Sequence, residues 1–521
     1  MDLITERWLP VITATGQQNK ISPLQLWDNN IIDVAYPRPD FQGAAWQFLI
    51  GLLQTAIGPE DESGWRDVWR TGLTEQAWQQ ALAPLVLAMQ FGSQKPAFLQ
   101  SFESLDADNG PIAGLLIDSP GGNTLKLNKD HFIKRDACER MCPHCAVMAL
   151  FTVQTNSPAG GAGYRVGMRG GGPLTTLVVP QEHSLPLWKK LWLNVTSGDV
   201  AAQPEQMPLI FPWLTATCTS ERAGNSVTPE NAHPLQAYWS MPRRIELDFS
   251  HTEAGECSLC GTQHHACLRE IRSKNYGVQY DGWLHPLSPY RQSIKDNTAP
   301  WLSLKGQSGG LSYKDWLGLS LESEDKFNLT RPAGVVRSMD NRRKMPATYL
   351  WCFGFDMDNA KARCWYQHRL PLVLTDDPAR LKALLRAAVD LSIAALSVLK
   401  KYLKNALYAP GSDVSGDFGI WDTAWWRQTE AQFRSLLSAL ADDPAQQQPQ
   451  THRAFARWAN HLLHQMLVTF DDTIFTNSAS DSAVLRRQLV ARQALEKEYL
   501  KLKVRKEFIS LAAAPQEEGN V

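Results

Sequence analysis

Long apolar runs are missing from this chain of 521 residues. No stretch reaches the roughly 18 consecutive apolar residues of a membrane-spanning helix. The opening MDLITERWLPVI carries acid and base ahead of any apolar run, which is not the form of a secretory leader. A cytoplasmic protein is therefore expected. A surplus of either charge is missing too: 52 Lys and Arg stand against 53 Asp and Glu, for a net charge of −1. Free-standing, non-specific nucleic-acid binders are usually basic, because phosphate contacts supply most of that affinity. The balance argues against such a binder but leaves room for local basic patches on a subunit that borrows affinity from partners. Catalytic signatures are absent as well, with no H-E-x-x-H, G-x-S-x-G, phosphate-binding loop or kinase set. Acidic residues form no clear metal-ion nuclease cluster, and lone histidines such as His285 and His368 read as structural. Nothing in the sequence calls for an enzyme.

What is present points to a folded protein of more than one domain. Hydrophobic content is 44% and charged content 20%, and a chain this long exceeds one compact core. Nineteen tryptophans are expected to serve mostly as core and interface anchors, since each buries a large apolar area. Residues 1–370 mix short apolar runs with Gly/Pro punctuation, the texture of a large, loop-rich α+β domain, with a strand over 174–179 and with Pro39 to Ile57 leading into a helix. Residues 376–514 differ. Asp376-Asp377-Pro378 is a helix-start signal, followed by Leu381, Leu384, Ala388, Leu391, Ala395, Leu399 and Leu403 at three- and four-residue spacing. A second helix carries Trp426, Phe433, Leu436 and Leu440 and stops at Asp442-Asp443-Pro444. A third carries Phe455, Trp458, Leu462, Met466 and Phe470. A fourth, entered near Ser480-Asp481, carries Val484, Ala491, Leu495, Tyr499 and Leu502. The pattern predicts a four-helix bundle, with a frayed polar tail over 515–521.

Four segments have chemical potential. Cys142-Pro-His-Cys145 and Cys257-Ser-Leu-Cys260 each place two thiols so that both can turn to one ion, and together they make a four-cysteine set typical of structural zinc. Cys138, His144, His264, His265 and Cys267 are possible substitutes as ligands. A redox dithiol is the poorer reading, because neither pair sits on a strand-to-helix turn of the thioredoxin type. Residues 158–173 hold seven glycines and two arginines in neither dinucleotide-binding nor phosphate-loop spacing. Such a run is either a flexible surface turn or a loop pressed against nucleic acid, with Arg165 and Arg169 as phosphate partners. Residues 126–140 are basic around Phe132, suited to RNA or single-stranded nucleic acid or to plain solvation. The last helix sets eight basic residues from Arg486 to Lys506 against Glu496 and Glu498, a face for a phosphate backbone or for water.

Several of these segments occur together in one order. The opening Leu3-Ile4-Thr5-Glu6-Arg7-Trp8-Leu9-Pro10-Val11 comes first, then the Cys142/Cys145 knuckle and the glycine run ending Gly167-Met168-Arg169-Gly170-Gly171. The Cys257/Cys260 knuckle follows, then Gly282-Trp283-Leu284-His285-Pro286-Leu287-Ser288-Pro289, Gly354-Phe355-Asp356-Met357-Asp358-Asn359 and the terminal helices. This ordered combination resembles the CasA family, the large subunit of the type I-E CRISPR surveillance complex called Cascade.

The resemblance implies a non-catalytic subunit that checks the protospacer-adjacent motif, a short duplex flag beside a target, mainly from the minor groove. It implies help in opening the duplex for guide RNA and recruitment of a separate helicase–nuclease. By position, Gly160, Gly161, Ala162 and Gly163 resemble the family's flag-touching glycine loop; Ala162 interrupts a run that is all glycine in some relatives. Lys274 matches the minor-groove lysine, and Asn359 with Ala360 resembles the wedge beneath the flag, where some relatives carry glutamine. The segment with Lys129, Phe132, Lys134 and Arg135 resembles the one that docks on guide RNA and neighbouring backbone subunits. Expected partners are thus guide RNA, the Cascade backbone and small subunits, target duplex and the helicase–nuclease, with zinc as structural cofactor at Cys142, Cys145, Cys257 and Cys260. The competing readings are a zinc-dependent hydrolase or nuclease, which would need an open metal site, and a purely architectural scaffold.

Overall fold

Tryptophan organises the interior. Nine indoles, Trp8, Trp65, Trp78, Trp192, Trp213, Trp239, Trp316, Trp425 and Trp458, are fully buried. A buried indole N–H needs an acceptor, and each of these finds one. Trp8 donates to the Leu3 carbonyl at 2.8 Å, Trp78 to Pro23 at 2.7 Å, Trp213 to Ala88 at 2.7 Å and Trp239 to Thr55 Oγ1 at 2.9 Å. Trp65 donates to Val195 and Trp192 to Trp65, both at 3.0 Å. Trp316, Trp425 and Trp458 donate to Pro371, Ser392 and Ala388.

The computed structural model describes residues 1–127, 135–158, 163–198, 201–296, 298–306, 309–342, 345–358, 361–374, 377–412, 416, 418–442, 449–476 and 481–513. It is an α+β chain whose C-terminal part is helical, as the sequence predicts. Its contacts form two units, one of residues 1–310 and 324–369, the other of 311–323 and 370–521. Among the described residues no helix is long and apolar enough to cross a membrane.

In the first unit the helix Pro39–Ala56 is buried along almost its whole length. Phe48 on it meets Trp8, Phe98, Phe151 and Trp239 edge-on, with ring centroids 5.6–5.9 Å apart. Short sheets surround this core. Leu9–Thr13 pairs with Gln18–Ile21 and Ile31–Val34. The all-buried strand Thr175–Pro180 pairs antiparallel with Thr348–Asp358, from Thr348 opposite Pro180 to Phe353 opposite Thr175. Glu270–Lys274 lies between Asn109–Pro111 and Arg244–Leu247. A hairpin, Glu253–Glu256 with Gln263–Cys267, stands apart.

The second unit holds the helices Pro378–Leu407, Gly419–Asp442, Pro449–Phe475, Ser482–Lys501 and Lys503–Ala513. Asp377 caps the first, accepting from the Arg380 amide at 2.9 Å, and Asp481 caps the fourth through the Ala483 amide at 2.8 Å. The fourth helical stretch is broken: Leu502 has extended backbone (ψ 128°), so the last turns form a separate fifth helix. Its Phe508 is buried 4.7 Å from the Phe455 ring. The helical unit also takes in Leu311–Ser323, which by periodicity alone is indistinguishable from the rest of residues 1–370. Residues 515–521, expected as a frayed tail, lie outside the described residues.

Segment 311–323 contributes Tyr313. Its ring stacks on Phe433 at 4.3 Å, and its hydroxyl bonds Ser392 Oγ at 2.5 Å and Thr429 Oγ1 at 2.8 Å. Both partners are buried, so removing the phenol oxygen takes one hydrogen bond from each with no water to replace it. Tyr313→Phe is expected to lower stability by about 1–3 kcal/mol, read as a shift of the urea midpoint at unchanged slope.

Candidate nucleic-acid interface and metal centre

The two Cys-x-x-Cys segments meet. Cys142 is the N-cap of the helix Pro143–Asn156, with Pro143 at its first position and Cys145 in its first turn. Cys257 and Cys260 sit in the turn of the hairpin Glu253–Glu256/Gln263–Cys267. An antiparallel bridge between Met141 and Leu268, with N–H···O distances of 2.9 and 2.8 Å, locks the segments together. The Cys142 amide donates to Cys257 Sγ at 3.3 Å, and Cys142 Sγ lies 3.8 Å from Cys260 Sγ.

All four sulfurs lie within 4.8 Å of one another; Cys142, Cys145 and Cys257 are buried and Cys260 is partly so. A tetrahedral ion with bonds of about 2.3 Å sets its sulfurs about 3.8 Å apart, so the donor set fits such an ion and is compatible with zinc. Cys138, His144, His264, His265 and Cys267 are not in this group. His144 Nδ1 instead faces Lys20 Nζ at 2.9 Å, His264 Nδ1 accepts from the Ala266 amide, and the Cys267 thiol points to the Gly255 carbonyl.

The thiols are unequal in acidity. Hydrogen bonding from Cys142, then Cys145, holds Cys257 down to about 6 and Cys260 well below the usual thiol range. Sharing with Cys142, Cys257 and Cys260 pushes Cys145 up. A dication bound by this cluster would hold all four thiols ionised.

Lys274 ends the strand Glu270–Lys274, opposite Arg244, and is exposed. The next turn brings it to the glycine run, 111 residues earlier in sequence. The Tyr276 amide donates to the Gly163 carbonyl at 2.7 Å. Gly163 has φ +79°, and a Cβ there would lie 3.0 Å from Asn275 Cβ and 3.1 Å from the Tyr276 ring. Tyr276 itself has φ +59°, and a side chain at Gly277 would collide with the Pro242 carbonyl. The structure thus needs glycine at Gly163 and Gly277. Gly160, Gly161 and Ala162 lie outside the described residues.

Arginines fasten this junction. Arg165 Nε donates to Ser220 Oγ at 2.6 Å, and Ser220 Oγ donates to the Gly277 carbonyl at 2.7 Å. Arg243 lies 4.7 Å over the Tyr164 ring and donates to the Pro158 carbonyl. Arg244 pairs with Glu221 at 2.9 Å. Tyr164, Tyr276, Arg243 and Arg244 were not singled out from sequence. Only the doublet Arg243-Arg244 gave a signal, and its closeness to Lys274 depends on strand pairing.

Arg169 corrects an expectation. It is 3% exposed and cannot be a phosphate partner. Its guanidinium donates to Thr175 Oγ1 and Ser288 Oγ at 3.0 Å and to Gln47 Oε1 at 2.6 Å. Burial pulls its pKa down to about 10. The Gly282–Pro289 motif packs beneath: Trp283 donates to the Val227 carbonyl, His285 Nδ1 accepts from the Leu287 amide, and Ser288 donates to the Leu174 carbonyl. Burial, then the charge of Arg169, holds His285 well below its ordinary pKa.

Asn359 and Ala360 lie outside the described residues. The strands before and after them, Thr348–Asp358 and Lys361–Pro371, are neighbours in one sheet, and Arg363 bonds Asp356 at 2.7 and 3.1 Å. Lys129, Phe132 and Lys134 are likewise outside; Arg135 donates to the Leu125 carbonyl at 3.3 Å. On the last helices Arg492 pairs with Asp471 at 2.6 Å, and Lys503 with Glu507 at 3.3 Å.

These observations define a class: an α+β protein with a stapling four-thiol cluster and a separate exposed basic–glycine junction. Solved structures share its fold. Thermobifida fusca Cse1 matches with TM-score 0.69 and 16% identity over 99% of each chain. Thermus thermophilus CasA (Cse1) matches with TM-score 0.64 and 17% identity, covering 96% of this chain and 99% of that one. A chain of a CRISPR RNA-guided surveillance complex matches with TM-score 0.64 and 14% identity, covering 95% and 99%. The chain belongs to the family described as CRISPR-associated protein Cse1, whose model matches residues 2–468.

Cys260→Ser is expected to abolish retention of a thiophilic divalent ion by the dialysed full chain, measured by elemental analysis. Arg169→Ala is expected to cost about 3 kcal/mol in denaturant unfolding, since it opens a cavity and takes a hydrogen bond from each of three buried polar groups.

Proposed function

We propose that this chain is the non-catalytic large subunit of a cytoplasmic CRISPR RNA-guided surveillance complex, where it recognises the protospacer-adjacent motif in target DNA. The observation that carries the reading is the Tyr276–Gly163 hydrogen bond, which sets the end of the glycine run beside exposed Lys274. Backbone without side chains can approach a groove closely, and a neighbouring lysine supplies a donor and a positive charge. Minor-groove readout separates A·T from G·C better than it orders individual bases, so this reader tolerates several flags. Gly160, Gly161, Ala162 and Gly163 contact the flag with Lys274. Asn359 and Ala360 act as the wedge that fills space between separating bases, so that guide RNA pairs with one strand.

Lys129, Phe132, Lys134 and Arg135 contact guide RNA and adjoining subunits of the assembly, and a separate helicase–nuclease is recruited to cut. Zinc at Cys142, Cys145, Cys257 and Cys260 is structural. Four thiolates fill a tetrahedral shell and leave no position for a substrate, which speaks against the hydrolase reading.

The test is duplex binding by the complete RNA-guided complex at fixed salt, with and without this subunit, on a matched target whose flag is permissive or scrambled. Tight binding is expected to need both subunit and flag, and to weaken about tenfold with Lys274→Ala or Asn359→Ala. Binding indifferent to the subunit would overturn the role in favour of a scaffold.

A further inference from the structure

Away from the glycine junction, a cleft of about 240 Å³ opens on the first unit between Trp27, Asn29, Arg70, Gly72, Trp188 and Lys189. Gly72 closes the helix Glu62–Thr71 with φ +75°, a backbone turn that favours glycine. Trp188 is buried and fixed, its indole donating to Asn29 Oδ1 at 2.9 Å. Trp27 is partly exposed on the cleft wall. Lys189 Nζ rests 5.3 Å from the Trp69 ring centre and 5.4 Å from that of Trp188. Arg70 is exposed and pairs with Asp67, a turn away on the same helix. None of these residues is used by the flag-reading junction or the four-thiol cluster.

An indole wall with two cations on its rim suits a ligand with a flat apolar face and an anionic group. The volume is below the range of about 300–1,000 Å³ usual for drug-sized ligands, which suits one nucleotide and excludes a duplex. We propose that this cleft binds one nucleotide of an unpaired nucleic-acid strand, with the base against Trp27 and the phosphate between Arg70 and Lys189. Base–indole stacking is tolerant of sequence, and phosphate pairing with the rim makes the contact weaken with salt. Lys189 can reach a phosphate while its stem stays on the indoles.

The full chain is tested with short labelled oligouridylate and oligothymidylate by fluorescence anisotropy, and with a 5-bromouracil-substituted strand by photo-cross-linking and peptide mass mapping. Cross-links are expected in peptides holding Trp27 or Trp188, and Trp27→Ala and Arg70→Glu are each expected to weaken binding about tenfold. Arg70 is exposed, so its variant keeps the fold if Trp27→Ala does not. Tighter binding of the ribo-strand assigns the cleft to RNA and of the deoxy-strand to DNA; either supports the proposal. Affinity unchanged in Arg70→Glu, or cross-links confined to other peptides, overturns it. The flag-dependent duplex assay is a separate readout, so the cleft and the flag-reading role fail independently.

Discussion

The convergence of the two cysteine knuckles is the constraint on which the candidate interface depends. From Cys142 the chain runs directly into the helix Pro143–Asn156, and that helix delivers the glycine run. From Cys260 it runs through the hairpin to Cys267 and on into the strand Glu270–Lys274. Both arms of the junction therefore start at one point. The helix is rigid at about 1.5 Å per residue, and the strand is held on both edges. With the start fixed by the Met141–Leu268 bridge and the four sulfurs, the ends arrive where the Tyr276 amide can reach the Gly163 carbonyl. An ion at the cluster would act at a distance, by setting the register of two arms and not by touching a ligand.

Charge around the junction is divided by burial. Arg169 is held inside by Gln47, Thr175 and Ser288, and so ties the far end of the glycine run to the helix Pro39–Ala56 and the strand Thr175–Pro180. A buried guanidinium is costly unless its donors find acceptors, and three neutral oxygens accept from this one. Lys274 remains outside, and Arg165, Arg243 and Arg244 brace the turn between. The loop is thereby anchored at Arg169 by side-chain hydrogen bonds and at Gly163 by the Tyr276 amide.

Much of this was legible locally. The capping aspartates Asp377 and Asp481, the apolar spacing on the long helices and the Cys-x-x-Cys pairs are each contained within a few residues, and local geometry honours them. Leu502 escaped because its apolar position continues the helical spacing while its backbone does not. Tyr313 escaped because its partners, Ser392 and Thr429, lie in other helices and nothing near it in sequence marks the pairing. Arg169 was misread for the same reason: the residues around it in the chain are mostly glycines, and two of its three partners, Gln47 and Ser288, come from distant segments.

The sequence by itself determined the elements and the inventory: helices with their caps, four thiols in two pairs, seven glycines in one run, and a near-even balance of charge. Its ordered motifs also determined the family. Tertiary structure decided which thiols share a site, which arginine is buried, and that Gly163 lies against the turn after Lys274. The division follows from range. Caps, periodicity and turn residues act over a few positions and leave a mark in the sequence, whereas a contact between residues 163 and 276 is made by the packing of everything between them.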